Sequence, residues 1–325
     1  MCDFIRKALN NVSGCFFFIL LGFLNSAPSV AADTGCSTPP TPLHIGQNTH
    51  CFDEKAGFDR SFYLSLPDDY TPEKSYRLLV VFPGTNTTGE AMKKWIGDGW
   101  ARNMVGLETS MKGSIIVYPD AKIRDFPEWK KNPTARGWLL GPYGSVAKGE
   151  EDINFISELL DLIQANYKIE NDKVYATGHS WGGDMAAVVG CFLGDRFKAV
   201  APVAANRPYW FDIDGEAAPN CKDHVAVWTV FGLDDEHFPV PTSQLNPGDF
   251  GREQNNFWIH RNSCNESPIP VSDVGQPGET VEYSDCTKNV RFTLYSKQYS
   301  GSGKQPGHYP PDYFPAELAK WLNGL

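Results

Sequence analysis

The stretch that most constrains this chain is Lys173 to Gly183, which reads KVYATGHSWGG. It contains the pattern G-x-S-x-G, in which a serine stands at the apex of a sharp turn between a strand and a helix. Val174 to Ala176 predict the strand, and the apolar run from Asp184 to Leu193 predicts the helix. Because the backbone is strained at such an apex and its neighbours come close, glycine is needed on both sides. We therefore predict that Ser180 is a nucleophile, with a structural glycine turn as the alternative.

Apolar runs typical of strands alternate with helical patterns along the rest of the chain. This alternation predicts an α/β fold, with a mostly parallel central sheet that has helices on both faces. We expect the earlier residues 33–58 to form an irregular arm. The strands are predicted at residues 60–67, 77–82, 114–118, 174–176, 198–205, 225–231 and 290–295, and the helices at residues 89–107, 151–167, 184–193 and 314–322.

The first 32 residues have the features of a signal peptide. Arg6 and Lys7 precede the apolar run Cys15 to Leu24, and the small residues Ser29 to Ala32 follow it. The run is too short to span a bilayer comfortably, so we expect no stable membrane anchor. We predict secretion to an extracellular or periplasmic compartment, with residues 33–325 forming a single domain and the protein acting as a monomer.

The charge and the cysteines restrict the class of protein further. Without Asp3, Arg6 and Lys7 the formal charge changes from −10 to −11, which argues against nucleic acid or an anionic membrane as a partner. Six cysteines remain beyond the predicted signal peptide, and in an oxidising compartment they predict three disulfides. Of the fifteen possible pairings we expect the sequential one, Cys36–Cys51, Cys191–Cys221 and Cys264–Cys286. We expect no metal ion and no cofactor.

A nucleophilic serine needs a base to take its proton and an acid to orient that base. With this motif the acid and then the histidine follow the serine in the chain. Four histidines satisfy that order, namely His224, His237, His260 and His308. We predict His308 as the base because it lies in a loop between the last strand and the closing helix. The alternative is a loop histidine that caps this helix.

The acid should lie in the loop after residues 225–231, where Asp234, Asp235 and Glu236 compete. Here the sequence resembles the secreted feruloyl esterases and polyhydroxybutyrate depolymerases of the α/β-hydrolase fold. Their loop reads G-x-x-D with a proline four residues later, which Gly232, Asp235 and Pro239 match. The resemblance extends over residues 60–322, and it implies Asp235 rather than Asp234 as the acid.

Two backbone N–H groups are needed to stabilise the oxyanion that forms when the serine attacks a carbonyl group. The residue directly after the nucleophile, Trp181, should supply one. The resemblance implies that Thr85, after the strand 77–82, supplies the other. The family usually carries His-Gly-x in this loop, whereas this chain has Pro83 before Gly84. We also hypothesise that the indole of Trp181 lines the acyl site, where its bulk would favour short or flat acyl groups.

The resemblance implies a serine carboxylic-ester hydrolase that releases feruloyl groups from plant cell-wall polysaccharide through an acyl-enzyme. Acetylxylan esterase and polyhydroxyalkanoate depolymerase, which acts on a polyester, are alternatives. An alternative of another class is a carbohydrate-binding protein that kept the fold without the activity.

Two further observations concern side chains outside the predicted triad. Asn86 and Asn265 begin glycosylation sequons, and Trp138, Tyr143, Tyr209 and Trp210 predict either an aromatic platform or ordinary packing.

Overall fold

A sheet of ten strands is the largest feature of the structure. The structure is a computed structural model, and it describes residues 35–37, 41–100, 105–126, 133–142, 145–211, 221–235, 247–296 and 307–325. The strands are β1 (Gly46–Cys51), β2 (Asp59–Ser65), β3 (Tyr76–Phe82), β4 (Ser114–Pro119), β5 (Ile123–Asp125), β6 (Thr134–Arg136), β7 (Ile169–His179), β8 (Ala199–Val203), β9 (Ala226–Gly232), β10 (Pro268–Pro270), β11 (Thr280–Tyr283) and β12 (Val290–Tyr295). The helices are α1 (Gly89–Met92), α2 (Leu107–Ser110), α3 (Val146–Gly149), α4 (Glu151–Asn166), α5 (Trp181–Phe192), α6 (Pro247–Arg261) and α7 (Phe314–Asn323).

The centre of the large sheet is parallel, as the apolar runs predict. The strand order is β1-β2-β4-β3-β7-β8-β9-β12-β11-β10. The six neighbouring strands β4, β3, β7, β8, β9 and β12 pair in parallel. The strands on both edges pair antiparallel, and β5 and β6 form a separate hairpin. The prediction of a mostly parallel sheet in an α/β fold is therefore confirmed.

Helices cover both faces of this sheet, and β3 shows why. Leu78 and Val80 point into one core, together with buried residues of α4 and α5. Leu79 and Val81 point into the other core, together with buried residues of α7. Since successive side chains of a strand face opposite sides, a strand buried on both faces must be apolar throughout. The described residues from Gly35 to Leu325 form one compact unit.

Two of the predicted elements differ from the structure. Residues 46–51 are a strand rather than part of an irregular arm, because β1 gains backbone hydrogen bonds by pairing with β2 and needs no apolar face of its own. The helix predicted over residues 89–107 is interrupted. After α1 the chain makes a π-helical turn at Lys93–Gly97, and Gly99 then takes a φ of 100°, which ends the helix.

The three predicted disulfides are confirmed, with the sequential pairing. Cys36–Cys51 ties the N-terminal arm to β1, and Cys191–Cys221 ties the end of α5 to the segment before β9. Cys264–Cys286 joins the chain after α6 to the chain before β12. Each closes a loop of moderate length, which stabilises the fold by roughly 3 kcal/mol in the chain-entropy model.

The predicted signal peptide at residues 1–32 lies outside the described residues. In the part of the chain that the structure describes, no helix has both the length and the apolar character needed to cross a bilayer.

A buried ion-pair cluster holds the long segment after β4 against the sheet. One carboxylate oxygen of Asp152, at the start of α4, lies 2.7 Å from Arg60 and 2.9 Å from Arg124. Its other oxygen accepts a hydrogen bond from the Leu139 amide at 2.8 Å, and Arg124 donates to the Gly137 carbonyl at 3.0 Å. Burial acts to raise the pKa of Asp152, but the two guanidinium groups outweigh it and hold the pKa below its usual value. Asp152 is therefore ionised at neutral pH.

Replacing Asp152 with alanine removes the carboxylate closest to both arginines and the acceptor of the Leu139 amide. Of the described carboxylates, only Glu151 then remains beside Arg124, at 3.2 Å, and beside Arg60, at 3.8 Å. We expect Asp152→Ala to lower the free energy of unfolding by about 3–5 kcal/mol at pH 7, as for other broken buried pairs. Because the folded pKa is lowered, the wild-type contribution is present above the ordinary aspartate pKa of about 3.9 and is lost as the pH falls through the folded value. Urea unfolding measures both effects. Asp69→Ala, which breaks the exposed pair with Lys74, is the control, and an equal loss in both variants would contradict the assignment.

Candidate active site

The predicted nucleophile lies in a strained turn between β7 and α5. Strand β7 ends at His179 and α5 begins at Trp181, so Ser180 alone makes the turn. Its backbone has φ 57° and ψ −129°, a combination that residues with a side chain rarely adopt. The Ser180 amide donates a hydrogen bond to the Val203 carbonyl at 2.9 Å, which ties the turn to β8. Backbone strain of this kind is typical of functional sites.

Glycines surround this turn because its backbone contacts leave no room for a Cβ atom. A Cβ on Gly178 would overlap the Gly182 carbonyl, and a Cβ on Gly182 would overlap the Phe82 carbonyl at the end of β3. A Cβ on Gly84 would lie 3.0 Å from the His179 carbonyl oxygen and 3.3 Å from the Ser180 Cβ. The loop after β3 is therefore packed directly on the serine.

Ser180 lines a cavity of about 390 Å³ at the carboxyl ends of the central strands. The serine is 7% exposed, and His308 and Thr85 line the same cavity. The structure thus brings together side chains from the loops after β3, β7 and β12. The full lining consists of Gly84, Thr85, Thr87, Ala91, Trp95, His179, Ser180, His308 and Tyr309.

Asp235 and His308 are in direct contact, although 73 residues separate them in the sequence. Asp235 Oδ2 lies 2.8 Å from His308 Nδ1, and both side chains are buried. Because an ionised carboxylate only accepts hydrogen bonds, Nδ1 carries a proton in this contact and Nε2 is the nitrogen left to act as a base. Asp234, the competing acid, is half-buried, while Glu236 lies outside the described residues.

Tyr295, at the end of β12, fixes the loop that carries His308. Its hydroxyl lies 2.7 Å from the Gly307 carbonyl oxygen and 2.6 Å from the Tyr309 carbonyl oxygen. Burial, and secondarily the charge of Asp235, raises the pKa of Tyr295 well above its usual value, so the hydroxyl stays protonated and donates. Sequence analysis placed Tyr295 in a strand and missed this contact, since a terminal strand tyrosine has no distinguishing pattern.

The other candidate histidines have different surroundings. His224 Nδ1 lies 3.1 Å from the side-chain oxygen of Asn262, beside the start of β9 and so at the opposite end of this strand from Asp235. His260 is exposed near Glu266. His237 lies outside the described residues.

The two predicted oxyanion donors belong to the two backbone segments that meet at the serine. The Trp181 amide belongs to the first turn of α5, whose N-terminus favours negative charge. Thr85 lies in the loop packed on Ser180, and within the described residues its amide has no hydrogen-bond acceptor. The Trp181 side chain packs against Phe126, 4.8 Å between ring centroids, and lies over Gly137. The hypothesis that this indole lines the acyl site finds no support in that position.

Of the two interpretations left open for the four aromatic residues, ordinary packing is confirmed for Trp138 and Trp210. Trp138 is fully buried and donates a hydrogen bond from Nε1 to the Pro83 carbonyl at 2.9 Å, so it supports the loop after β3 from below. Trp210 is buried against Phe192, Tyr209 is 61% exposed, and Tyr143 lies outside the described residues.

Trp95 and Tyr309 form the aromatic wall of the cavity instead. Their ring centroids are 5.2 Å apart with the rings nearly perpendicular. Trp95 comes from the π-helical turn after α1, an irregularity that often marks functional sites. Sequence analysis placed Trp95 in a continuous helix. Only its closeness in the sequence to the loop after β3 could have indicated that it lines the cavity.

One group of possible metal ligands occurs among the described residues, formed by Cys36, Cys51 and Asp59. The two cysteines are bonded to each other, so their sulfur atoms are not available as thiolate ligands. The donor set therefore does not fit a metal ion, and it is separate from the cavity residues.

A strained serine turn on a parallel sheet covered by helices defines an α/β hydrolase. The chain belongs to the esterase family whose sequence model, described as "Putative esterase", matches residues 54–260. It is a carboxylic ester hydrolase.

Individual relatives agree with this assignment. The chain is 25% identical over 290 residues to a probable feruloyl esterase C of Aspergillus terreus, covering 87% of this chain and 89% of the relative. It is 26% identical to feruloyl esterase D of Neurospora crassa, with 91% and 92% covered. Among solved structures, the acetyl xylan esterase from Aspergillus awamori matches with a TM-score of 0.60 at 13% identity, covering 86% of this chain and all of that one. This structural match shows the fold alone.

The strain at Ser180 should be measurable as stability. Glycine adopts a positive φ freely, so Ser180→Gly relieves strain of about 1–3 kcal/mol and loses about 0.5–1 kcal/mol through chain entropy. Ser180→Ala lacks the hydroxyl but keeps the Cβ, and it is therefore the matched control. We expect the glycine variant to be more stable than the alanine variant by about 1 kcal/mol in urea unfolding. A less stable glycine variant would show that the turn is not strained.

Proposed function

We propose that this protein is a secreted, monomeric serine esterase that releases feruloyl or related hydroxycinnamoyl groups from plant cell-wall polysaccharide. The observation that carries the proposal is the cavity that Ser180 and His308 line together with Trp95 and Tyr309. It combines a candidate nucleophile and base with two aromatic rings. The feruloyl esterase relatives support the same acyl group.

In the proposed mechanism Ser180 attacks the ester carbonyl while His308 Nε2 accepts the hydroxyl proton. Asp235 holds the imidazole through Nδ1 and stabilises the imidazolium that forms. The imidazolium then donates its proton to the leaving alcohol oxygen as the tetrahedral intermediate collapses. A water molecule that His308 deprotonates then attacks the acyl-enzyme, and the imidazolium returns the proton to Ser180 Oγ as the carboxylic acid is released.

The amides of Thr85 and Trp181 are proposed to donate to the carbonyl oxygen as it becomes negatively charged. Both belong to backbone that is already fixed, by the glycine contacts at Ser180 and by the first turn of α5. Donors that need no rearrangement stabilise the transition state more than the ground state. The replacement of the family's histidine by Pro83 does not remove the backbone donor.

The acyl group is proposed to lie against Trp95 and Tyr309. A hydroxycinnamoyl group is flat and apolar along its ring faces, and aromatic rings that stack or meet edge to face gain more than their buried area alone. An acetyl group has no such surface to offer. The cavity volume of about 390 Å³ is also large for an acetyl group alone.

The first test of this proposal is a substrate panel with the nucleophile removed. We expect wild-type protein to hydrolyse methyl ferulate, and we expect Ser180→Ala to lower kcat by about 10³-fold or more, as for other serine hydrolases. Steady-state assays on methyl ferulate, acetylated xylan and polyhydroxybutyrate compare the candidate substrates. Preference for acetylated xylan or the polyester would replace the proposed substrate. A wild type that binds polysaccharide and hydrolyses none of them would favour the binding protein.

The second test concerns the acyl group. We expect Trp95→Ala to lower kcat/KM on methyl ferulate by about tenfold or more, corresponding to about 1.4 kcal/mol of lost ring contact. On p-nitrophenyl acetate we expect a loss of no more than about threefold, because the acetyl group does not reach the wall. Tyr209→Ala, which removes an exposed aromatic ring outside the cavity lining, serves as the control. Equal losses on the two esters would contradict the assignment of Trp95.

A further inference from the structure

The residue before the nucleophile has a contact that the mechanism above does not use. His179 ends β7 and is 8% exposed. Its Nε2 lies 2.7 Å from the backbone carbonyl oxygen of His308. Because a carbonyl oxygen only accepts hydrogen bonds, Nε2 must carry a proton and donate. One side chain thus joins the strand that ends at the nucleophile to the backbone of the base.

The contact from His179 is one of several side-chain contacts to the backbone carbonyls of residues 307–309, the loop that carries His308. Tyr295 lies within hydrogen-bond distance of the carbonyls of Gly307 and Tyr309, and His179 of the carbonyl between them. All three consecutive carbonyls therefore lie beside a side-chain donor at a strand end, and the two outer carbonyls share the single hydroxyl proton of Tyr295. Tyr295 belongs to β12, which precedes this loop in the chain. His179 comes from β7, the strand that ends at Ser180. Of the two side chains, only His179 therefore connects the loop of His308 directly to the turn at Ser180.

The ring of His179 lies among aromatic neighbours. Its centroid lies 4.8 Å from Trp95 and 4.7 Å from His308, each with the edge of one ring toward the face of the other. Tyr309 is nearly parallel to it at 6.0 Å. On the opposite side, a Cβ on Gly84 would lie 3.8 Å from His179 Nδ1. The ring is therefore enclosed by the aromatic wall, the base and the loop of the proposed oxyanion donor.

We propose that His179 is a positioning residue that sets the distance between His308 and Ser180. The proposal rests on the proposed function, since it assigns His308 as the base. His179 transfers no proton in it. Its Nε2–H group holds the His308 backbone so that the imidazole faces the serine. Displacement of a reacting group by about 1 Å can cost about 10²-fold in rate, so loss of this donor should reduce kcat more than it changes KM.

The test compares variants of His179 that keep or lose a donor at the right distance. Glutamine places an amide N–H at about the reach of Nε2, whereas leucine fills similar space and has no donor. On methyl ferulate we expect His179→Leu to lower kcat by about 10- to 100-fold with KM changed less than about threefold. We expect His179→Gln to stay within about fivefold of wild type. His224→Leu, which removes a histidine hydrogen bond beside the start of β9, is the control and should leave kcat unchanged.

The outcomes separate this inference from the proposed function. If wild type hydrolyses the ester and His179→Leu keeps kcat within about threefold, or if the glutamine and leucine variants are equally impaired, the positioning role is wrong. If wild type does not hydrolyse the ester, the result contradicts the proposed function, on which the positioning role rests. Should His179→Leu not fold, His179→Asn takes its place. Asparagine is an amide like glutamine but is shorter by one methylene group. The asparagine variant should therefore fold, while its amide does not reach the His308 carbonyl. A kcat near that of wild type in the glutamine variant but not in the asparagine variant supports the proposal.

Discussion

The close approach of two backbone segments at Ser180 is the constraint on which the rest of the site depends. Gly178 and Gly182 contact each other, and Gly182 also contacts the end of β3, at distances that leave no space for a Cβ. This packing holds the serine at a φ that its side chain disfavours, and the sheet supplies the stability that such strain requires. It also brings the loop of Thr85 beside the serine. Ser180, the proposed nucleophile, and the proposed oxyanion donors thus lie on two backbone segments that pack directly against each other.

The parallel sheet explains how distant residues reach this piece of backbone. Strands β3, β7, β9 and β12 all end at the same edge, so the loops that follow them meet there. Asp235 and His308 come from the loops after β9 and β12, and the pairing of these neighbouring strands brings the two loops together. Side chains at strand ends then fix the loop conformation, as Tyr295 does for the carbonyls beside His308.

Much of the fold could be predicted because its signals are local. A strand buried on both faces is apolar throughout, and the turn at Ser180 requires glycines at fixed spacing, so β3 and this turn could both be predicted from the sequence. Strand β1 was missed because a polar edge strand is held by backbone hydrogen bonds, which leave no side-chain pattern. Tertiary packing decided the aromatic residues. For Trp138 an aromatic platform and ordinary packing were both open, and it is buried, whereas Trp95 was assigned to a helix and lines the cavity. Sequence spacing does not indicate which side of a loop faces a cavity.

The central claim is that Ser180 is the nucleophile and that His308 activates it. Covalent labelling with diisopropyl fluorophosphate, followed by peptide mapping by mass spectrometry, tests this most directly. The account predicts one phosphoryl group per chain, located on Ser180, with ester hydrolysis lost in proportion to labelling and with much slower labelling in His308→Ala. Labelling of a different serine, or full ester hydrolysis by a chain whose Ser180 is labelled, would contradict it.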